Sequence, residues 1–136
     1  MQSYEVTLAH YNMFVELCKY WQNCFGLHDF SINFVHEKLD EDDYAATNAC
    51  GKDRTAVIAL NVKWIVPVKN EVIHRVALHE IMHVLLTDLT DAAENRYTTE
   101  QQIITAEEAA VVRLERIVLL KTPNVLMSGD TVLYVI

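Results

Sequence analysis

The sequence predicts a single α+β domain spanning residues 1–136. Apolar residues recur with a helical period near the start of the chain and again in its second half. Between these regions, apolar and polar residues alternate as they do in half-buried strands. At 136 residues, of which 51% are hydrophobic, the chain can bury one core but not two. The predicted order is an N-terminal helix, a small antiparallel sheet, two helices and a terminal hairpin.

The first half of the chain supplies the predicted N-terminal helix and the sheet. Residues 6–25 carry apolar side chains at helical spacing, which predicts an amphipathic helix. Residues 30–36 alternate in polarity and predict a half-buried strand. Two more strands are predicted over residues 44–47 and 55–62, the second because it is rich in β-branched side chains. Together these three strands are expected to form the small antiparallel sheet.

The second half of the chain is predicted to be mainly helical. Residues 69–86 are apolar almost all round the helical circumference, which is typical of a buried helix. A second long helix is predicted over residues 98–121, with Thr98 or Thr99 as its N-cap. The tail, residues 124–136, contains the turn signal Ser-Gly-Asp and then a strand-like run, which predicts a terminal hairpin.

Composition and charge exclude several classes of partner. The formal charge is −8 and no cluster of lysine or arginine occurs, so nucleic acid is not expected as a partner. Cys18, Cys24 and Cys50 are odd in number and lack CxxC spacing, which favours neither a disulfide framework nor a thiolate zinc site. The sequence shows no signal peptide and no apolar run of membrane-spanning length. A cytoplasmic protein without a membrane partner is therefore expected.

The segment His79-Glu80-Ile81-Met82-His83 carries the chemistry of the predicted buried helix. Helical residues four apart lie on one face, so His79 and His83 can bind one Zn²⁺ together. Glu80 lies beside the metal without being required as a ligand, and it can act as a general base toward zinc-activated water. A chance match is the alternative. The strongly apolar flanks favour metal binding, because burying three polar groups is costly unless they are paired.

A third ligand is needed, because a catalytic zinc is usually held by three protein side chains and water. All six histidines lie at or before residue 83, so a downstream ligand must be a carboxylate. The candidates are Asp88, Asp91, Glu94, Glu100, Glu107, Glu108 and Glu115. Glu107 falls in the middle of the apolar stripe of the second long helix and is the predicted ligand, with Glu108 on the flank as the reserve. The alternative for Glu107 is an ion pair with Arg113 or Arg75.

The HExxH helix, followed about two dozen residues later by a glutamate on a second helix, resembles the gluzincin branch of zinc peptidases. The segments DFSINF, DDYAATNACGKDRTAVIALNVKW and AEEAAVVRLERI are similar to those of small phage- and prophage-encoded metallopeptidases, which in turn resemble the minimal zincins of the ImmA/IrrE and SprT-like kind. The resemblance implies a zincin-like fold, His79 and His83 as zinc ligands and Glu80 as the general base. It also implies that Glu107 or Glu108 is the third ligand, and that residues 55–62 form an edge strand along which an extended substrate lies.

The expected function is therefore zinc-dependent hydrolysis of a protein or peptide substrate, with Zn²⁺ as the cofactor. Two alternatives stay open. The domain could be a non-catalytic binding or regulatory module that retains a zincin fold and its metal, although the presence of Glu80 favours an enzyme. It could also be a zinc hydrolase of another amide or ester bond, because the chemistry of attack is the same. The sequence predicts neither the substrate's identity nor the oligomeric state.

Overall fold

Four helices and three small sheets make up the part of the protein that the computed structural model describes, namely residues 2–94, 99–121, 126–128 and 131–133. The helices are α1 (Leu8–Cys24), α2 (Asn70–Leu85), α3 (Thr87–Glu94) and α4 (Glu100–Lys121). The strands are β1 (Tyr4–Glu5), β2 (Ser31–Glu37), β3 (Ala45–Cys50), β4 (Thr55–Asn61), β5 (Lys63–Trp64), β6 (Leu126–Ser128) and β7 (Thr131–Leu133). The α+β class predicted from the sequence is confirmed.

The main sheet has three strands in the order β2-β4-β3. Strand β4 is antiparallel to β3 but parallel to β2, so the prediction of an antiparallel sheet is right for one pair and wrong for the other. The polarity pattern of a strand indicates which face is buried but not the direction of its neighbour. Here β4 lies between two strands that precede it in sequence. The prediction that residues 55–62 form an edge strand is therefore wrong, since β4 is central.

Helix α2 lies at the centre of the fold. It packs against α1 on one side, and it also contacts β3 and α4. This explains why nearly all of its circumference is apolar, and fully buried side chains include Ile73, Leu78 and Ile81. The core continues through Phe14 and Leu17 of α1. A polar side chain on α2 is thus in a place where it needs a specific partner.

Capping residues mark the two ends of α1 and the start of α4. Helix α1 begins after Thr7, which forms a capping box with His10, and it is followed by Gly26 in a left-handed conformation with φ of +66°. At the start of α4, the Thr99 hydroxyl accepts from the Gln102 amide at 3.2 Å while the Thr99 amide donates to the Gln102 side chain. Thr99 is therefore the cap. Thr98, the other candidate, lies outside the described residues.

Two features of the fold add to the sequence prediction, and a third agrees with it. Strands β1 and β5 pair through Tyr4 and Trp64, and the short helix α3 follows α2 directly; neither was predicted. The terminal hairpin is confirmed by the antiparallel pairing of β6 with β7, although its predicted turn at residues 129–130 lies outside the described part. None of the described helices combines the length and apolar character needed to cross a bilayer.

Candidate metal centre

Helices α2 and α4 bring two imidazole rings and a carboxylate to one point. His79 and His83 lie one turn apart, and their Nε2 atoms are 3.3 Å from each other. From α4, Glu108 places Oε1 3.2 Å from the His79 Nε2 atom and Oε2 3.4 Å from the His83 Nε2 atom. These three side chains form a group that could hold a metal ion, with one ligand atom from each lying within 4.8 Å of the others. The predicted juxtaposition of His79 and His83 is present.

The second nitrogen of each ring also has a carboxylate partner on α4. The His79 Nδ1 atom lies 2.8 Å from a Glu115 oxygen, and the His83 Nδ1 atom lies 2.6 Å from a Glu107 oxygen. An ionised carboxylate can only accept, so in a neutral imidazole the proton lies on Nδ1 and the lone pair on Nε2. Glu115 and Glu107 thereby fix which ring atom is available to a metal, an arrangement common around histidine ligands.

The geometry of the three central donors fits a zinc ion. Tetrahedral zinc with bonds of about 2.0–2.1 Å holds neighbouring ligand atoms about 3.3–3.4 Å apart. The two Nε2 atoms are 3.3 Å apart, which agrees with this value. The Glu108 carboxylate spans the pair, with Oε1 3.2 Å from the His79 Nε2 atom and Oε2 3.4 Å from the His83 Nε2 atom. With both protons on Nδ1, the two Nε2 lone pairs and the Glu108 carboxylate face one another with no hydrogen between them. Such a cluster of electron-pair donors is repulsive, and either a metal ion or a proton on one of the Nε2 atoms relieves the repulsion.

The geometry favours Glu108 over Glu107 as the third ligand. Glu107, the predicted ligand, contacts the outer nitrogen of His83 and also accepts a hydrogen bond from the Thr90 hydroxyl. Its side chain is 20% exposed and that of Glu108 49%, so the donor cluster faces the rim of the α2–α4 interface rather than its centre. Glu108, on the flank of α4, therefore contacts the Nε2 atoms of both rings. Glu107, in the centre of the interface, contacts the Nδ1 atom of His83.

Of the two arginines considered as ion-pair partners of Glu107, Arg75 does not pair with it among the described contacts. Arg75 is exposed and lines a cavity beside His79, while the Arg113 side chain is outside the described part. Glu115 was among the candidate ligands in the sequence, and the structure places it at the Nδ1 atom of His79 rather than on the Nε2 side. It lies seven residues after Glu108, which is two helical turns on the same face, and this spacing is the signal for its place beside the rings.

Glu80 is held in place by the neighbouring strand. Its carboxylate is buried, and the Thr47 hydroxyl of β3 donates a hydrogen bond of 2.7 Å to Oε1. Burial raises the pKa of Glu80 above its ordinary value, although the Thr47 hydrogen bond and the nearby imidazoles of His79 and His83 oppose that rise. One carboxylate oxygen thus has a fixed partner, and the other is available to a proton.

The hydrogen bond with Glu115 also affects His79. It raises the pKa of the His79 imidazole above its ordinary value, against the lowering effect of burial, with the charges of Glu80 and Glu108 adding to the rise. In the metal-free protein, these carboxylates therefore favour a positive charge at His79. A bound cation would satisfy the same surplus of negative charge.

Two cavities flank the donor cluster along β3. The first has a volume of about 230 Å³ and is lined by Asp42, Asp43, Tyr44, Ala45, Arg75, Val76, His79, Glu80 and Glu115. The second has a volume of about 420 Å³ and is lined by Thr47, Asn48, Ala49, His83, Thr87, Thr90, Asp91, Glu94, Glu100, Ile104 and Glu107. The start of β3 borders the first cavity and its end borders the second. Together they leave room beside the strand on both sides of the donor cluster.

Strand β3 presents an open edge to this space. The amide of Asn61 donates to the carbonyl of Tyr44, which sets the phase of the β3–β4 ladder. Because hydrogen-bonded pairs alternate in an antiparallel ladder, the backbone groups of Ala45, Thr47 and Ala49 point away from β4. No strand within the described ranges pairs with that side of β3. The edge strand beside the site is β3, and not β4 as the resemblance implied.

The remaining histidines lie apart from the cluster. His74 is buried on the opposite face of α2 and stacks on Trp21, with ring centroids 5.7 Å apart. Burial lowers the pKa of His74. His36 stacks on Tyr11, and His10 serves the cap of α1. His28 is exposed in the turn before β2. His79 and His83 are therefore the two histidines that contribute to the site.

Comparison of the chain with protein-family models, with curated proteins and with solved structures found no match.

Proposed function

We propose that the protein is a zinc-dependent hydrolase, most simply an endopeptidase, in which His79, His83 and Glu108 hold the metal. The observation that carries this proposal is the meeting of the His79 and His83 Nε2 atoms, 3.3 Å apart, with the Glu108 carboxylate, which lies against both of them. The buried Glu80 next to them is the group that favours an enzyme, because a purely structural metal site needs no base. The same features support the resemblance to minimal zincins.

The side chains around the donors have different roles in such a reaction. Zinc, when bound, supplies Lewis acidity that polarises a carbonyl and makes water a competent nucleophile near neutral pH. Glu80 accepts a proton from the attacking water on its free carboxylate oxygen and delivers it to the leaving amine. Glu107 and Glu115 hold the imidazole rings in orientation and keep their protons on Nδ1.

The open edge of β3 supports a polypeptide as the substrate. An extended chain can add to this edge as a further strand, pairing with the free backbone groups of Ala45, Thr47 and Ala49. Such pairing would carry the substrate past Glu80, because the Thr47 side chain contacts that residue. The two cavities would then receive side chains from either side of the bond to be cleaved. Carboxylates outnumber lysine and arginine in both linings, which favours substrates with lysine or arginine near that bond.

The variant Glu80→Gln tests whether the site is catalytic. It keeps the size of the side chain but removes the base, so it should hold about one zinc per chain, as the parent does. It should cleave a proteome-derived peptide pool about 10²- to 10⁴-fold more slowly than the zinc-loaded parent, the usual contribution of a general base. The matched control is Glu16→Gln, which makes the same change at an exposed position on α1 and should cleave like the parent.

The outcomes separate the enzyme from a binding module. A zinc-loaded parent that cleaves no peptide, together with a Glu80→Gln variant that loses zinc or unfolds, would show Glu80 to be structural. The module would then be the better description. Cleavage of ester or non-peptide amide probes without cleavage of peptides would instead assign the site to another class of zinc hydrolase.

A further inference from the structure

Thr47 connects the open edge strand to the proposed base. It lies in the middle of β3, and its side chain points toward α2 rather than toward solvent. The hydroxyl oxygen is 2.7 Å from Oε1 of Glu80 and 3.3 Å from the backbone carbonyl of the same residue. Thr47 therefore touches Glu80 at two points, while its own backbone groups face the open side of the strand.

The hydroxyl proton goes to the carboxylate. The Glu80 carbonyl already accepts the amide four residues later in α2, as in any helix, and it lies farther from the hydroxyl. The carboxylate oxygen is closer and carries charge, so it is the better acceptor. Glu80 is only 5% exposed, so few water molecules can replace this bond. The orientation of the carboxylate thus depends on Thr47.

We propose that Thr47 is a positioning residue for Glu80: it holds Oε1 so that the other carboxylate oxygen is directed at the water that reacts at the His79–His83 cluster. This inference rests on the proposed hydrolase function and adds to it a role for the edge strand. Since β3 would also pair with the substrate, the same residue aligns the base and the polypeptide to be cleaved. The contact is then part of the catalytic geometry rather than of the core.

The test compares three variants of the full chain, each loaded with zinc. Thr47→Val keeps the β-branched shape and removes the donor, whereas Thr47→Ser keeps the donor. The control is Thr55→Val, the same threonine-to-valine change on β4. Thr55 is exposed, lines neither of the two cavities beside the donor cluster and does not contact the cluster. The measurements are zinc content, thermal unfolding, and kcat and KM on one peptide that the parent cleaves in the proteome-derived pool.

We expect Thr47→Val to retain zinc and to lose about tenfold or more in kcat, equivalent to one hydrogen bond to a charged group, with KM within about twofold of the parent. Thr47→Ser should restore most of kcat, and Thr55→Val should match the parent. The positioning role alone is overturned if Thr47→Val has the same kcat as the parent. It is also overturned if Thr47→Ser and Thr47→Val lose kcat to the same extent. A zinc-loaded parent that cleaves no peptide overturns the proposed peptidase and the positioning role with it.

Discussion

Helix α2 carries histidines on two faces, and the two faces differ in what surrounds the imidazole. On the face toward α4, His79 and His83 each have a carboxylate at Nδ1 and share a third at Nε2. On the face toward α1, His74 stacks on Trp21, and its Nε2 atom has no hydrogen-bond partner among the described residues. Burial alone therefore does not identify a functional histidine. The polar partners of both ring nitrogens do.

The largest expected effect is on zinc affinity, and it tests the difference between the two faces of α2. His79→Ala and His83→Ala should each weaken zinc binding by more than about 100-fold, because the loss of a direct ligand exceeds the 10- to 100-fold cost of losing an outer partner. His74→Phe should bind zinc like the parent, since it changes only the face toward α1. Competition with a chelator of known affinity measures all three. If both alanine variants bind zinc as tightly as the parent, His79 and His83 are not the zinc ligands and the proposed site is wrong.

A smaller effect distinguishes the carboxylates on α4. Glu108→Gln should weaken zinc binding more than Glu107→Gln, because Glu108 contacts both Nε2 atoms while Glu107 contacts only an Nδ1 atom. We expect a loss of about tenfold for the outer partner and a larger one for the ligand. The same chelator competition gives the ranking. The reverse order would restore Glu107 as the ligand, as the apolar stripe of α4 predicted.

The smallest expected effect concerns the stability of the face toward α1. Burial lowers the pKa of His74, so the folded state binds the proton less readily than the unfolded state. The contribution of the neutral imidazole is then fully present above the unfolded pKa and is lost as pH falls through the folded pKa. His74→Phe should flatten this acid-side loss of stability, measured by urea unfolding of the metal-free protein over a range of pH. An unchanged pH dependence in His74→Phe would show that protonation of His74 does not contribute to the loss of stability at acid pH.

The periodicity of the sequence was sufficient for most of the fold. It located α1, α2 and α4 to within a few residues, because long amphipathic or buried helices leave a strong pattern. It did not reveal the parallel pairing of β2 with β4, since strand direction depends on the path of the chain and not on polarity. The two-residue strands β1 and β5 are too short to leave a pattern at all.

The candidate site was predictable on α2 and less so on α4. Spacing within one helix fixes the relation of His79, Glu80 and His83, so the motif alone was enough. The relation of Glu107 to Glu108 depends on how α4 is rotated against α2, which is a property of packing between helices. An apolar stripe marks the centre of that interface, whereas the donor cluster lies at its rim. Thr47 comes from a separate sheet, and no local pattern connected it to Glu80.

The central claim is that a metal ion is held by the Nε2 atoms of His79 and His83 and by Glu108. Crystals of the protein loaded with zinc, with diffraction data collected on both sides of the zinc absorption edge, test it most directly. The expected result is one anomalous peak per chain, about 2.0–2.2 Å from these three ligands. A peak bonded to Glu107 or to an Nδ1 atom, or no peak at this cluster, would contradict the claim.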